Sequence, residues 1–394
     1  MRPLSLVAGI LCITIVLFDA FQTIILPRRA TGRFRLTRLF YISTWFPWRF
    51  FARRFHHARR REILLGYYGP FSLIFLLVVW AAFMVLGFAF IYFAIGSPFN
   101  DPSQSSGFHT DLYISGTTLF TLGLGDVTPH GPLARVLVIL QSGMGFGFLA
   151  MVMGYFPVLY AAFSRREVSI SLLDARAGSP PTAAELMRRH SSDSAAKSLS
   201  TLLVEWERWS AELLESHISY PLLCYYRSQH NSQSWLSALT AILDTSSLLI
   251  AGVRGLEARQ AQLTFAMARH ALVDLSQIFN LRPVINAPDR LPPARCHELY
   301  RMLTASGIEL CYDESSRERL RQMRALYEPY AEALSRFLLM PLPEWFSIQP
   351  RKDNWQTVAR LRAQTEANDS TTAPPPSADP TVAASASHEH PHDF

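Results

Sequence analysis

Residues 121–126 have the composition best suited to chemistry in this chain, reading T-L-G-L-G-D. Glycines alternate with leucines, and glycine adopts positive φ without a steric penalty. Alternating signs of φ can turn successive backbone carbonyls toward the same side of the chain. A row of carbonyl oxygens can replace the hydration shell of a monovalent cation. The pattern therefore predicts a segment through which dehydrated cations pass.

The segment lies between two apolar runs, residues 67–95 and residues 133–163. Each run exceeds the roughly 20 residues that a helix needs to cross a bilayer. Residues 96–107 are polar and turn-forming, and residues 108–120 can form a helix too short to cross. Non-helical backbone at membrane depth must be buried in protein or line a water-filled path. We therefore expect the glycine segment to be such a path.

A further apolar run, residues 4–26, opens the sequence and is also long enough to span a bilayer. Pro27, Arg28 and Arg29 follow this run, whereas a removed signal peptide carries its charges before the apolar core. We expect a retained helix, and the alternative is a signal or interfacial helix.

Asp19 is the one acidic residue within this first run, and Thr23 lies on the same helical face. An intramembrane acid is costly and usually faces protein or water. One hypothesis makes Asp19 a proton or ion relay. The other makes it a structural partner for an arginine of the adjacent loop or for a neighbouring helix, and this second role is the one we expect.

The loop between the first two spans is strongly basic, with eleven arginines between Arg28 and Arg61. Short basic loops stay on the cytosolic side, and Arg165 and Arg166 mark the cytosolic end of the third span. The N-terminus and residues 96–132 are then predicted to be outside, with the C-terminal region in the cytosol. The expected location is the plasma membrane, as in a bacterial inner membrane.

Aromatic residues alternate with arginines in the loop from Arg28 to Arg61. This mixture favours a segment that lies in the lipid headgroup zone. The alternative is a binding site for an anionic regulatory lipid.

Residues 117–129 resemble the pore helix and selectivity filter of the potassium-channel superfamily, whose filter usually reads T-x-G-[YFL]-G-D. Residues 121–126 match that pattern, and residues 67–163 would be the helix–pore–helix unit. The resemblance implies a homotetramer with one pore loop from each chain. It also implies K⁺ as the permeant ion and no cofactor.

The resemblance assigns roles to individual residues. The implied ion-binding residues of the filter are Thr121, Leu122, Gly123, Leu124 and Gly125. Asp126 would support the filter from behind, and we expect it to reach Tyr113 or His109. A glycine of the third span would be a gating hinge, with Gly143 or Gly147 as the candidate. Close packing of small residues between helices is an equal alternative for these glycines.

Two positions depart from the family pattern. Leu124 stands where tyrosine is most common, and Phe120 replaces a common threonine before the filter. We expect a potassium-conducting channel. The alternatives are a weakly selective monovalent cation channel and a non-conducting membrane scaffold or sensor that keeps a pore-like hairpin.

The region after the third span has a helical pattern with no strand alternation. Thr182 and Glu185 have the spacing of a helix capping box. No G-x-G-x-x-G motif follows a strand, so a nucleotide-sensing Rossmann domain is not predicted. The histidines and acids do not have the spacing of a metal or catalytic site, so we expect neither a metal nor an enzyme. The arginines cluster at membrane edges rather than in a basic stripe, so nucleic acid is not an expected partner.

Together these patterns predict an all-α membrane protein with three transmembrane helices, a re-entrant pore loop and a cytosolic α-helical domain. The predicted parts are an N-terminal span (1–27), a basic and aromatic connector (28–66), a pore domain (67–163), a linker (164–181), a helical domain (182–346) and a disordered, low-complexity tail (365–394).

Overall fold

A computed structural model gives the fold of most of the chain. It describes residues 2–26, 36–55, 57–100, 107–190, 195–229, 233–252, 256–308 and 310–347. The elements below belong to one compact unit, Met1–Asp353. The predicted tail, residues 365–394, lies outside the described residues, as do residues 27–35 of the basic loop.

The described chain is built almost wholly from helices. The first half contains α1 (Arg2–Ala20), a π-helical segment (Phe21–Ile25), α2 (Leu36–Arg54), α3 (Ala58–Ala94), β1 (Phe99–Asn100), α4 (Phe108–Leu119), β2 (Thr128–Pro129) and α5 (Pro132–Ala177). The second half contains α6 (Ala183–Arg188), α7 (Ala195–Ser219), a 3₁₀ segment (Pro221–Tyr225), α8 (Trp235–Gly252), α9 (Leu256–Ile278), α10 (Pro293–Ala305), α11 (Glu314–Ala325) and α12 (Glu328–Leu338). The prediction of an all-α membrane protein is confirmed.

Four of the described helices are long and apolar enough to cross a membrane: α1 with its π-helical segment, α3, α5 and α8. In α8, 94% of the apolar window is buried inside the protein, whereas the figure for α5 is 11%. A helix that is covered by protein on all sides belongs to a core and has no face left for lipid. We therefore assign α8 to the core of the C-terminal helical region, and α1, α3 and α5 to the bilayer.

Two glycines let α1 pack closely on α3. A Cβ atom on Gly9 would lie 2.5 Å from the carbonyl oxygen of Gly87, and one on Gly87 would lie 2.7 Å from Cγ1 of Ile13. Small residues at such crossings allow two membrane helices to approach backbone to backbone. This contact fixes α1 against the outer face of the unit formed by α3, α4 and α5.

Asp19 joins α1 to both of the following long helices. Its carboxylate accepts hydrogen bonds from the backbone N–H of Thr37, at 3.0 Å to Oδ2, and from Trp80 Nε1, also at 3.0 Å. The Thr37 hydroxyl donates to the same carboxylate. Thr37 lies in the first turn of α2, where an acid is favoured by the unpaired N–H groups and by the helix dipole. These contacts give Asp19 the structural role.

β1 and β2 form an antiparallel pair, which joins the segment that follows α3 to the segment that precedes α5. Phe99 lies opposite Pro129, and the N–H of His130 donates a hydrogen bond of 2.8 Å to the carbonyl of Pro98. The helix α4 and the glycine segment lie between these two strands in sequence. Both ends of the loop that carries the candidate site are thus held in place.

Helix α5 is longer than the apolar run that predicts it. It continues past residue 163 to Ala177, so most of the segment expected as a linker is helical. The next boundary follows the sequence signal, because the N–H of Glu185 donates to Oγ1 of Thr182 at the start of α6. The continuous α5 connects the membrane part directly to the C-terminal helices.

Candidate cation-binding site

The C-terminus of α4 leads straight into the glycine segment through a helix cap. The N–H of Leu122 donates to the carbonyl of Thr117 at 2.8 Å, and the N–H of Thr121 donates to the carbonyl of Thr118 at 3.1 Å. This pair of bonds, with Thr121 at positive φ, is the Schellman motif. The partial negative charge at the end of α4 therefore lies directly before Thr121, where it favours a cation.

Positive φ recurs at every second residue of the segment. The angles are +56° at Thr121, +53° at Gly123 and +80° at Gly125. Neither Leu122 nor Leu124 is among the described residues with positive φ. The backbone thus alternates in the way that the glycine spacing predicts, and such alternation can bring successive carbonyls to one side.

The positive φ of Thr121 is a feature that the sequence did not reveal. A side chain with a Cβ atom in the left-handed region costs about 1–2 kcal/mol. The two cap hydrogen bonds of the Schellman motif offset part of this cost. Strained backbone of this kind is concentrated at functional sites, where the surroundings hold it.

The whole segment is exposed in a single chain. Residues 120–126 are all in the exposed class, and Leu122 and Leu124 keep 62% and 67% of their surface accessible. A Cβ atom on Gly123 or Gly125 would meet no heavy atom within 4 Å. One chain by itself therefore does not surround an ion at this loop.

A hydrogen bond ties the far end of the segment back to α4. The hydroxyl of Tyr113 donates to Oδ2 of Asp126 at 2.7 Å. This is one of the two pairings expected from the sequence. Leu124 has no polar group with which to make a second tie. The outer part of the loop is thus held to α4 through Asp126.

A buried polar network joins α4 to the helices on both sides. Gln141 Nε2 of α5 donates to the carbonyl oxygen and the hydroxyl of Ser115, at 2.9 and 2.7 Å. The Tyr92 hydroxyl of α3 donates to Gln141 Oε1 at 2.6 Å, and the Ser115 hydroxyl donates to the carbonyl of Val85 at 2.7 Å. Tyr92, Ser115 and Gln141 are fully buried, so each depends on the others to satisfy its polar atoms.

Sequence reasoning missed this network. The signal that could have found it is the uncharged polar Gln141 inside an apolar run, because a polar side chain in a span usually faces other helices. Its partners on α3 and α4 are far away in sequence and have no distinctive spacing.

The glycines of α5 divide into two kinds. A Cβ atom on Gly145 would lie 2.1 Å from the carbonyl oxygen of Leu119, so Gly145 is the point where α5 meets the end of α4. Around Gly143 and Gly147, the candidate hinge residues, there is open space instead. Both lie within the unbroken helix α5, on a side that a single chain leaves uncovered. Gly145 is thus a packing residue that sequence reasoning did not single out.

Comparison with known proteins bears directly on this region. Residues 76–160 match the family model Ion_trans_2, described as "Ion channel". This segment is thus similar to ion-channel domains. The match covers the second half of α3, all of α4, the glycine segment and most of α5. It confirms the resemblance to the two-helix pore domain of potassium channels. The protein is therefore a membrane protein whose residues 76–160 are similar to an ion-channel domain.

Three curated proteins are similar to the chain. The uncharacterized membrane protein YdjJ of Bacillus subtilis (strain 168) is 26% identical over 244 residues, which is 61% of this chain and 67% of that protein. Protein LctB of Geobacillus stearothermophilus is 36% identical over 89 residues, or 20% of this chain and 66% of that protein. Protein LctB of Bacillus caldotenax is 35% identical over the same length. The chain thus spans about two thirds of each relative. No solved structure matches it.

Proposed function

We propose that this protein is a passive, homotetrameric potassium channel whose selectivity filter is formed by residues 121–126. The observation that carries the proposal is the alternating sign of φ at Thr121, Gly123 and Gly125 within an ion-channel domain. That backbone can present a column of carbonyl oxygens, which is the ligand set for a dehydrated K⁺ ion. The passage is downhill, so the proposal includes no catalysed reaction and no cofactor.

Four copies are needed because each chain supplies one loop and leaves it uncovered. Leu122 and Leu124 of the loop are exposed, and so are Phe146 and Met153 of α5. Apolar side chains of a membrane helix can face lipid, but non-helical backbone such as residues 121–126 must be buried in protein or line a water-filled path. A fourfold assembly would place the four loops around one axis and bury them between subunits.

The C-terminal helices are proposed to assist assembly or gating through α5. The guanidinium of Arg166, a buried residue of α5, donates to the carbonyls of Leu223 and Tyr226 at 2.9 and 3.0 Å. It also forms an ion pair of 2.9 Å with Glu167. A movement of the C-terminal helices is expected to reach α5 through this contact, and Gly143 or Gly147 is the proposed hinge.

A weakly selective monovalent cation channel is the second candidate. The observation that favours it is Leu124, which stands in place of the common tyrosine and is exposed on one chain. The filter then depends on the tie between Tyr113 and Asp126 alone at its outer end. Less support behind the filter would lower the discrimination between K⁺ and Na⁺. A non-conducting scaffold or sensor is the third candidate.

The proposed location is a bacterial inner membrane, with the N-terminus outside and the C-terminal helices in the cytosol. The support for this orientation is the basic segment from α2 into α3, where Arg53, Arg54 and Arg59 to Arg61 are all exposed.

Flux through the purified full-length protein in liposomes separates the candidates. A K⁺ gradient and then a Na⁺ gradient are applied to the same vesicles, and empty liposomes are the control. The proposal predicts flux that is large for K⁺ and small for Na⁺. Equal flux would favour the weakly selective channel, and the absence of flux with either ion would favour the scaffold.

A further inference from the structure

A large cavity lies away from the glycine segment, where the membrane helices meet the C-terminal helices. Its volume is about 1010 Å³. Its walls come from the π-helical segment, α2, α3 and Tyr155 of α5 on one side, and from α7, the 3₁₀ segment, α9 with the residues that follow it, and α12 on the other. This volume is at the upper end of the range of about 300–1,000 Å³ that is typical of small-molecule sites. The cavity can therefore hold a ligand of substantial size.

The part of the cavity next to the bilayer is apolar and aromatic. Leu76, Leu77 and Trp80 of the membrane helix α3 line it. Tyr41 and Trp45 of α2 extend the wall, and the ring of Tyr41 stacks on that of Tyr225 from the C-terminal region at 5.7 Å. Such a wall can bury the apolar surface of a hydrocarbon chain.

The charged residues of the lining are mostly arginines. Four arginines line the cavity, and Asp274 is the one carboxylate among the described lining residues. Arg336 forms an ion pair with Glu332, which is not a lining residue, at 2.6 Å from its Nε atom. Asp274 pairs with His270 at 3.6 Å. The charges inside the cavity are thus not balanced by its own walls.

Arg49 is the clearest sign of a missing ligand. Its Nε atom is buried and has no hydrogen-bond partner within the described parts of the chain. Burial, with a further contribution from Arg53, lowers the pKa of Arg49, as expected where the positive charge lacks a counter-charge. A buried donor without an acceptor is unfavourable, and an anion placed beside Arg49 would supply the acceptor.

We propose that this cavity binds one anionic membrane phospholipid, with the phosphate beside Arg49 and an acyl chain along Leu77 and Ile42. The combination of an apolar wall that starts on a membrane helix with four arginines in the same lining fits an amphiphile rather than a free anion. The ligand would contact both α2 and the C-terminal helices, so its binding is expected to stabilise the junction between them. The proposal does not depend on ion conduction.

Native mass spectrometry of the full-length protein in detergent tests the proposal. The added ligands are phosphatidylglycerol, phosphatidylcholine of the same chain length, and inorganic phosphate. The variants are Arg49→Gln, Arg49→Lys and, as a matched control, Arg60→Gln. Arg60 is an exposed arginine of α3 that is not part of the cavity lining.

The expected result is saturable binding of phosphatidylglycerol that exceeds binding of phosphatidylcholine and is not displaced by inorganic phosphate. Arg49→Gln should weaken this binding at least about tenfold, since a charge-assisted hydrogen bond is lost. Arg49→Lys should recover part of it, and Arg60→Gln should leave it unchanged. Two results would overturn the proposal. One is equal binding to wild type and Arg49→Gln while both retain the same thermal midpoint, and the other is displacement of the lipid by inorganic phosphate.

Discussion

Gly123→Ala is the substitution that probes the proposed filter most sharply. In one chain a Cβ atom at this position meets no neighbour within 4 Å, so the change introduces no clash there. The cost is conformational, because φ is +53°, and an L-residue in this region loses about 1–2 kcal/mol. Over four subunits the sum is about 4–8 kcal/mol. The population ratio of the conductive conformation is then expected to fall by roughly three to six powers of ten.

The assay is K⁺ flux into liposomes for the wild type, Gly123→Ala and two controls. Gly116→Ala lies within α4 with open space around it and should keep full flux, because alanine is favoured over glycine in a helix. Gly307→Ala also places a side chain at a positive φ, of +81°, with open space around it, but lies just after α10 and outside the glycine segment. It should retain flux as well. Wild-type flux in Gly123→Ala, with the same oligomer size by gel filtration, would refute the filter assignment.

Three further substitutions test other parts of the account. Gly145→Ala should displace the end of α4, because the new Cβ would lie 2.1 Å from a carbonyl oxygen there. Gly147→Ala is the control, because open space surrounds that position. Gel filtration should show loss of the assembly in Gly145→Ala and not in Gly147→Ala. Asp19→Asn leaves buried donors short of an acceptor and should cost about 1–3 kcal/mol, visible as a lower thermal midpoint; an unchanged midpoint would contradict the structural role. Burial, and next the charge of Arg166, lowers the pKa of His217 well below the ordinary value of 6.5. Below that value the unfolded chain binds a proton that the folded chain does not, so stability should fall by up to about 1.4 kcal/mol per pH unit. Thermal midpoints from about pH 7.5 to 5.5 should fall less in His217→Gln than in the wild type, and equal slopes would exclude this cause.

The spans and the candidate filter could be predicted because their signals are local. Apolar length marks a membrane helix, and the spacing of Gly123 and Gly125 marks a backbone that alternates in φ. The positive φ of Thr121 could not be predicted in the same way, since it depends on the cap that ends α4. Packing between residues that are far apart in the sequence could not be predicted either. Nothing near Gly145 in the sequence distinguishes it from Gly143 and Gly147, because the difference is made by the carbonyl of another helix.

The centres of the helices were easier to predict than their ends. It was also harder to predict whether an apolar helix contacts lipid or protein. α5 continues beyond the apolar run to Ala177 because a helix needs no hydrocarbon around it once other helices cover it. α8 is long and apolar enough to cross a membrane, yet it is buried inside the protein. Composition alone does not show whether an apolar helix is surrounded by lipid or by the core of the protein.

The central claim is that backbone carbonyls from four copies of residues 121–126 select dehydrated K⁺. The most direct test is the reversal potential of the purified protein in a planar bilayer with K⁺ on one side and Na⁺ on the other. The account predicts a large potential set by K⁺. A reversal potential near zero with clear currents would contradict selection by these carbonyls.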